Sequence, residues 1–265
     1  MIVGALLDLM EMDERISFIE SMNCALRELD RSDVTVAALP SLTTCGIAGT
    51  RFDVRIGNVS EESRDMPQAA DNVPHCGGHA NHSNTNQDES KPHHEHTTLA
   101  AIQGWIGRFP LSDTSKVNAR AVFDMLAEAE SHVHGRPIDN VHFHEIGSID
   151  AALDIACACA LIEKITPDEI VASPIQVGEG FVRCSHGLLP VPAPATAWLL
   201  RGIPIRSGAA YGEMCTPTGA ALIKFYVKSF GSLPEFKLES VGYGIGTKQL
   251  TSMNAVRAFV GNTVR

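Results

Sequence analysis

The residues with the clearest chemical potential are four histidines that lie close to acidic side chains. The four histidines and two of these acidic residues lie within the nineteen-residue stretch 132–150: His132, His134, His142, His144, Glu145 and Asp150. Neutral imidazole is a ligand for nickel, zinc, copper and iron, and a carboxylate adds a harder oxygen ligand or a proton acceptor. This composition predicts a metal site.

The strongest metal-ligand candidates within this run are His142 and His144. They are two residues apart in a segment, 141–145, that we predict to be extended, so both side chains project from one face and can share a metal. Glu145 then serves as a ligand, as a partner that orients a ligand, or as a base. His132 and His134 end a predicted helix, where imidazolium is also favoured by the helix dipole, so a structural role stays open for both.

A second group of histidines has a different setting. Six of them lie among Gly, Asn, Ser, Asp and Glu: His75, His79, His82, His93, His94 and His96. Unordered imidazoles capture divalent nickel, copper or zinc without a fixed geometry. The segment therefore predicts either a loop that gathers divalent metal ions or a solvated linker.

Two further segments carry residues that could bind a ligand or move a proton. His186, between Ser185 and Gly187, is a candidate ligand or proton carrier. Thr216 and Thr218 flank Pro217 at a predicted helix start with Glu213 nearby, an arrangement that accepts a phosphate or carboxylate but is also ordinary helix capping. The chain contains no GxxxxGK[ST] nucleotide loop.

The elements that position these residues alternate between helix and strand, which predicts an α/β or α+β class with a mixed sheet and flanking helices. Between 57 and 97 all periodicity is lost, so we predict a long disordered His-rich loop inserted into one domain made of 1–56 and 98–265. Helices are predicted at 2–29, 98–108, 114–133, from Ser148 onward, at 195–201 and at 216–229; strands are predicted at 34–39, 46–56, 169–175 and 181–184.

The amino-acid composition disfavours some kinds of binding partner and indicates a cellular compartment. The 21 Lys and Arg against 31 Asp and Glu give a net charge of −10, which repels nucleic acid and anionic membranes. Seven cysteines without a CxxC pair predict no disulfide framework. With neither a membrane-spanning run nor a secretory signal in view, we expect a cytoplasmic protein; a homo-oligomer is left open.

Several blocks in this order resemble the LarC family of nickel insertion proteins. They cover nearly the whole chain and comprise 4–9, the His-rich loop, 127–135, 141–147 with Asp150, 186–195 and 216–221. The resemblance implies that nickel is inserted into pyridinium-3,5-bisthiocarboxylic acid mononucleotide in a CTP-dependent reaction, accompanied by Mg or Mn. The product is the nickel-pincer cofactor of lactate racemase, with sulfur and carbon bonds to the metal.

On this interpretation the loop gathers nickel and the HxHE segment presents it. A base must remove the ring proton where the nickel–carbon bond forms, and Glu145, Asp150 and His186 are the candidates. The family begins with a strand and a glycine-rich turn before the 4–9 block and continues past 241–246 into a region associated with CTP. We therefore expect the first strand to be missing here, and a separate chain or the remainder of the polypeptide to supply the C-terminal region.

Two other functions fit parts of the pattern. A nickel storage or delivery protein without catalysis would use the same histidines. A metal-dependent hydrolase of the amidohydrolase type also opens its site with HxH, but it needs further histidines downstream, and His186 is the only one after His144.

Overall fold

The computed structural model describes residues 1–57, 59–60, 97–138, 148–184, 187–208, 210–248, 250 and 253–264. The described helices are α1 (Ile2–Asp8), α2 (Met12–Glu28), α3 (Leu99–Arg108), α4 (Asp113–His134), α5 (Ile149–Ile165), α6 (Pro194–Leu199) and α7 (Pro217–Tyr226). The longer strands are β1 (Val34–Leu42), β2 (Ala48–Ile56), β12 (Phe236–Ile245) and β13 (Ala255–Thr263). The shorter strands are β3 (Val59–Ser60), β4 (Val171–Ala172), β5 (Ile175–Gln176), β6 (Gly178–Glu179), β7 (Phe181–Cys184), β8 (Gly187–Pro190), β9 (Ile205–Arg206), β10 (Gly212–Glu213) and β11 (Ser229–Phe230).

The four long strands form a mixed sheet in the order β1, β2, β12, β13, with β3 also paired to β2. β1 and β2 are antiparallel, as are β12 and β13, whereas β12 runs parallel to β2 where Gly244 lies opposite Thr50. The predicted α/β class with a mixed sheet is confirmed. None of the described helices combines the length and apolar character that a membrane crossing requires.

The helix α1 lies directly on the backbone of this sheet, because glycines stand at the points of contact on both the helix and the sheet. A Cβ atom built on Gly242 would lie 2.1 Å from the carbonyl oxygen of Ala5, and one on Gly4 would lie 2.4 Å from that of Thr50. Real Cβ atoms do not approach oxygen so closely, so each glycine permits a helix–sheet distance that alanine forbids. On its other side α1 contacts α5.

Replacing Gly242 by alanine is expected to lower the free energy of unfolding by about 3 kcal/mol, because the new methyl group forces α1 away from β12. Gly104→Ala is the matched control, since Gly104 is exposed within α3 with nothing near its Cβ position; it should stabilise the protein by about 0.5–1 kcal/mol. Urea denaturation of both variants tests the contact. Equal effects of the two substitutions would show that α1 does not depend on this approach.

A polar cluster joins the end of α1 to the sheet. Thr50 Oγ1 donates to Asp8 Oδ1 at 2.6 Å, and the backbone N–H of Tyr243 donates to Asp8 Oδ2 at 2.9 Å. Arg15, from α2, donates to Thr50 Oγ1 at 2.9 Å. Asp8 therefore links α1, α2, β2 and β12 at one point.

The remaining helices pack into an apolar layer around α4 and α5. The side chains of Phe109, Phe123, Leu126, Leu153 and Ile155 are all at most 1% exposed. At the periphery of this layer, Glu163 near the end of α5 accepts hydrogen bonds from Ser112 and Ser115 at the start of α4. These two hydrogen bonds hold the pKa of Glu163 below its ordinary value. The layer gives α4 and α5 fixed positions, and the candidate site lies at their ends.

Several predicted boundaries were wrong. The predicted helix 2–29 is two helices, because the chain turns at 9–11 and α1 and α2 contact different strands. The predicted strand 169–175 is interrupted near Pro174, which lacks an N–H to donate. The last helix ends at Tyr226 rather than 229, and the two long strands β12 and β13 were not predicted at all.

Local sequence signals set the ends of α4 and the start of α7. Ser112 caps α4 by accepting from the N–H of Ser115 at 3.0 Å, and Gly135 ends that helix with a left-handed backbone at φ 60°. Pro217 opens α7 as expected. The predicted loop 57–97 lies outside the described residues, apart from 57, 59–60 and 97.

Candidate functional site

A cleft collects the ends of α4, α5 and α7. Its volume is about 3630 Å³, and its walls include Glu130 and His134 of α4, Asp150 and Asp154 of α5, and Glu213 of β10. Small-molecule sites usually occupy roughly 300–1,000 Å³, so this cleft is wide enough for a mononucleotide together with other groups. The volume alone does not identify a ligand, so the ligand has to be inferred from the side chains that line the cleft.

His134, the last residue of α4, is paired with Glu130 one turn earlier. Its Nε2 lies 3.1 Å from Glu130 Oε2, and the two side chains are 30% and 13% exposed. A carboxylate that holds one ring nitrogen orients the other nitrogen, as is usual for histidines that bind metals. His134 therefore presents an oriented imidazole at the cleft wall.

His132 has a different environment. Its ring stacks on Trp198 of α6 with a centroid separation of 3.3 Å and an interplanar angle of 22°. The guanidinium carbon of Arg201 lies 3.1 Å from the centroid of the same indole. The geometry gives His132 a packing role that joins α4 to α6, while its predicted role as a metal ligand stays a prediction.

The start of α5 places two aspartates on the cleft wall. Ser148 occupies the N-cap position as expected, but its hydroxyl donates to the Asp150 carboxylate and does not cap the helix. Asp150 and Asp154 are one helical turn apart and both are half-buried. Two carboxylates thus share one face of a helix that is otherwise apolar as far as Ile162.

The pKa of Asp154 is raised from its ordinary value of 3.8 to about 6. Burial is the main cause because it disfavours the charged form, and the Asp150 carboxylate acts in the same direction, while the amino group of Met1 opposes both. A carboxyl group that titrates near neutral pH can accept and release a proton under ordinary conditions. Among the described residues this makes Asp154 a candidate proton carrier.

The raised pKa also predicts a pH-dependent effect of Asp154→Asn on stability. The folded protein binds this proton more tightly than the unfolded chain, so the stability it contributes is complete below pH about 4 and is lost as the pH rises through about 6. At pH 8 the variant should be more stable than the wild type by about 2 kcal/mol, and at pH 4 the two should be nearly equal.

Urea denaturation at the two pH values measures this difference. Asp168→Asn is the matched control, because Asp168 lines the same cleft but is exposed. A difference between wild type and Asp154→Asn that does not change with pH would show that Asp154 titrates as it would in the unfolded chain.

The start of α7 forms another part of the wall. Thr216 caps the helix by accepting from the N–H of Gly219 at 3.3 Å, and Thr218 lines the cleft beside it. Glu213 is 8% exposed, and Lys248 Nζ donates to its backbone carbonyl at 2.7 Å. A helix N-terminus with a lysine and a carboxylate on the same cleft fits a phosphate group with its cation.

Buried thiols contribute little to this chemistry. Burial raises the pKa of Cys215 to about 12, with the Glu213 carboxylate acting in the same direction, and burial raises that of Cys159 to about 11. The pKa of Cys157 is also raised, mainly by burial. These thiols stay protonated near neutral pH, as is typical of buried structural cysteines.

The structure brings together only part of the predicted site. His134, Asp150, Glu213, Thr216 and Thr218 line one cleft. His142, His144, Glu145, His186 and the six loop histidines lie outside the described residues, although Ser148, which follows the HxHE segment, lines the cleft. Within the described ranges, no three His, Cys, Asp or Glu side chains are close enough together to hold a metal ion.

Asp154 was not among the predicted site residues, yet the sequence carried a signal for it. It interrupts the apolar run from Ala151 to Ile162 and follows Asp150 by four residues. A charged residue inside an otherwise apolar helix face needs a partner or a function.

Comparison with known proteins identifies relatives of one kind. The family described as "Nickel insertion protein" matches residues 1–265. The pyridinium-3,5-bisthiocarboxylic acid mononucleotide nickel insertion protein of Desulfitobacterium hafniense is 46% identical over 168 residues, which cover 63% of this chain and 42% of the relative. The protein of that name from Geobacillus kaustophilus is 38% identical over 221 residues, covering 83% of this chain and 48% of the relative.

A third relative with the same name, from Clostridium kluyveri, is 44% identical over 167 residues, covering 63% of this chain and 42% of the relative. The chain spans about half the length of these curated relatives. No solved structure matches it. Because the family match extends over all 265 residues and the relatives agree with it, the chain belongs to the nickel insertion protein family.

Proposed function

We propose that this protein inserts nickel into pyridinium-3,5-bisthiocarboxylic acid mononucleotide in a CTP-dependent reaction, forming the nickel-pincer cofactor used by lactate racemase. The observation that carries the proposal is the family match over residues 1–265, with relatives whose names state this substrate. The cleft supports it, because His134 with Glu130 offers an oriented nitrogen ligand beside the carboxylates of α5.

Nickel is the substrate of this reaction and passes along the chain in stages. The six loop histidines gather the ion, and His142 and His144 present it with Glu145 as ligand or base. His134 fits the same role, since Glu130 fixes its ring. His132 is the weakest ligand candidate of the four because its ring stacks on Trp198.

CTP with Mg or Mn fits the wall at the start of α7. Thr216 and Thr218 lie where backbone N–H groups of a helix start point outward, and Lys248 adds a positive charge held at Glu213. When bound, the nucleotide would supply phosphate chemistry that drives insertion. Residues of this chain would hold its phosphates, and the carboxylate of Glu213 lies on the same cleft wall as the cation that would accompany them.

A nickel storage or delivery protein without catalysis is the second candidate. It is favoured by the six histidines between 75 and 96, a composition that captures divalent ions without a fixed geometry. It predicts tight nickel binding that no nucleotide alters. A metal-dependent hydrolase is the least supported, because His186 is the only histidine after His144.

The two main candidates separate in one experiment with four arms. The chain is loaded with nickel and given the sulfur-bearing nucleotide, with and without CTP and magnesium, and with and without the C-terminal part of a full-length relative. Nickel should move to the nucleotide only when CTP is present. Nickel that stays on the protein in all four arms would leave storage as the function.

A further inference from the structure

Asp154 differs from three other carboxylates that pack against the core, because each of those three has polar partners. Asp8 accepts from Thr50 and Tyr243, Asp53 lies 2.7 Å from the Nε of Arg55, and Glu163 accepts from two serines. Asp154 makes no hydrogen bond or salt bridge with any residue in the described part of the chain. It is nevertheless flanked by Leu153 and Ile155, which are fully buried.

Such a position costs free energy. A carboxylate partly withdrawn from water without a hydrogen-bonding partner is destabilising, and a neutral residue of the same shape would relieve the cost. Unpaired, partly desolvated ionisable groups in a cleft are characteristic of functional sites, where the environment sets the proton affinity that the chemistry needs. The position of Asp154 in the cleft wall therefore indicates a residue that takes part in a reaction.

We propose that the Asp154 carboxylate accepts the proton that the pyridinium ring loses when nickel is inserted. This inference rests on the proposed function and names the proton acceptor within it. Thiocarboxylates at ring positions 3 and 5 flank the carbon at position 4, so a nickel ion held by both sulfurs lies against that carbon. The residue is distinct from Glu145, Asp150 and His186, the acceptors that the sequence suggests.

The step balances without a redox partner. The carbon–hydrogen bond at position 4 breaks, its electron pair forms the carbon–nickel bond, and nickel remains divalent. The proton goes to Asp154, which becomes a neutral carboxylic acid and later releases the proton to water. Neutralising Asp154 also removes its repulsion with Asp150 one turn away, so the protonated state is favoured by the same neighbour that raises its pKa.

The charges around Asp154 allow this exchange at neutral pH. Asp150 on its own helix raises its proton affinity and the amino group of Met1 on α1 lowers it. The other charged groups on the cleft wall come from several elements and carry both signs. The acidic ones are Glu130 of α4, Asp168, Glu169, Glu213 of β10 and Glu239 of β12; the basic or titratable ones are Arg31, Arg51 of β2, His134 of α4, Arg183 of β7, Arg206 of β9, Lys248 and Arg257 of β13.

The test compares wild type with Asp154→Asn in the transfer of nickel to the nucleotide between pH 5 and 8, with the C-terminal part of a full-length relative supplied. The wild-type rate should rise with pH through about 6 and then level off, and deuterium at ring position 4 should slow it. Asp154→Asn should lower the maximum rate by about 100-fold or more and leave the half-saturating nucleotide concentration nearly unchanged. Asp154→Glu should restore part of the rate, and Asp168→Asn should behave as wild type.

The possible results distinguish a failure of the role of Asp154 from a failure of the proposed function. Asp154→Asn is expected to fold and to be more stable than wild type near pH 8, so a lost rate cannot be attributed to unfolding. An unchanged rate and pH profile in Asp154→Asn would overturn the inference while the proposed function stands. A lost rate matched by an equal rise in the half-saturating concentration would also overturn it, because Asp154 would then act in binding. Absence of transfer by the wild type would instead overturn the proposed function.

Discussion

Replacement of His142 and His144 together by alanine is expected to abolish nickel transfer, lowering the rate by more than about 100-fold, because both imidazoles that present the ion would be lost. The proposal assigns both histidines to the metal, so it predicts little change in the free energy of unfolding. Transfer of nickel to the nucleotide and urea denaturation are measured on the same preparation.

The matched double substitution is His93→Ala with His94→Ala in the His-rich segment. It should lower the nickel bound per chain when nickel is limiting, and saturating nickel should compensate for the loss in the transfer assay. Full transfer by the His142/His144 variant would remove these two residues from the site. Transfer lost at saturating nickel in the His93/His94 variant would mean that the segment is more than a reservoir.

Replacement of Asp8 by alanine is expected to lower the free energy of unfolding by about 3–5 kcal/mol. It would leave the hydroxyl of Thr50, which is 1% exposed, and the N–H of Tyr243 without their acceptor. It would also remove the carboxylate that lies 3.7 Å from the guanidinium of Arg15. The cost is high because one side chain serves two helices and two strands.

Glu20→Ala is the control for this substitution, because Glu20 is an exposed carboxylate on α2; its effect should stay within about 0.5 kcal/mol. Asp8→Asn should fall between the two, since an amide keeps one acceptor oxygen. If Asp8→Ala and Glu20→Ala were equally mild, the cluster would contribute nothing to the attachment of α1.

The helices around α4 and α5 were predictable because local signals and burial agree there. Ser112 caps α4, Gly135 ends it, and the apolar residues recur at helical spacing. The strands β12 and β13 were not predictable in the same way. The glycines at 242 and 244 weaken the strand pattern, and the structure shows that they are required by the contact with α1, which only the folded chain reveals.

The site was predictable in composition and only partly in arrangement. The spacing of Asp150 and Asp154 on one helix face followed from the sequence, but the cost of burying Asp154 depends on the cleft around it. Likewise, His132 and His134 look alike in the sequence. Only the fold distinguishes their environments. Trp198 from α6 stacks on His132, whereas Glu130, four residues before His134 on α4, pairs with His134.

The proposed insertion is tested most directly by the mass of the nucleotide after incubation with the nickel-loaded protein, CTP and magnesium, with the C-terminal part of a full-length relative present. The account predicts a nucleotide that has gained nickel in place of a ring proton, and no such species without CTP. An unchanged nucleotide mass, with nickel still bound to the protein, would contradict it.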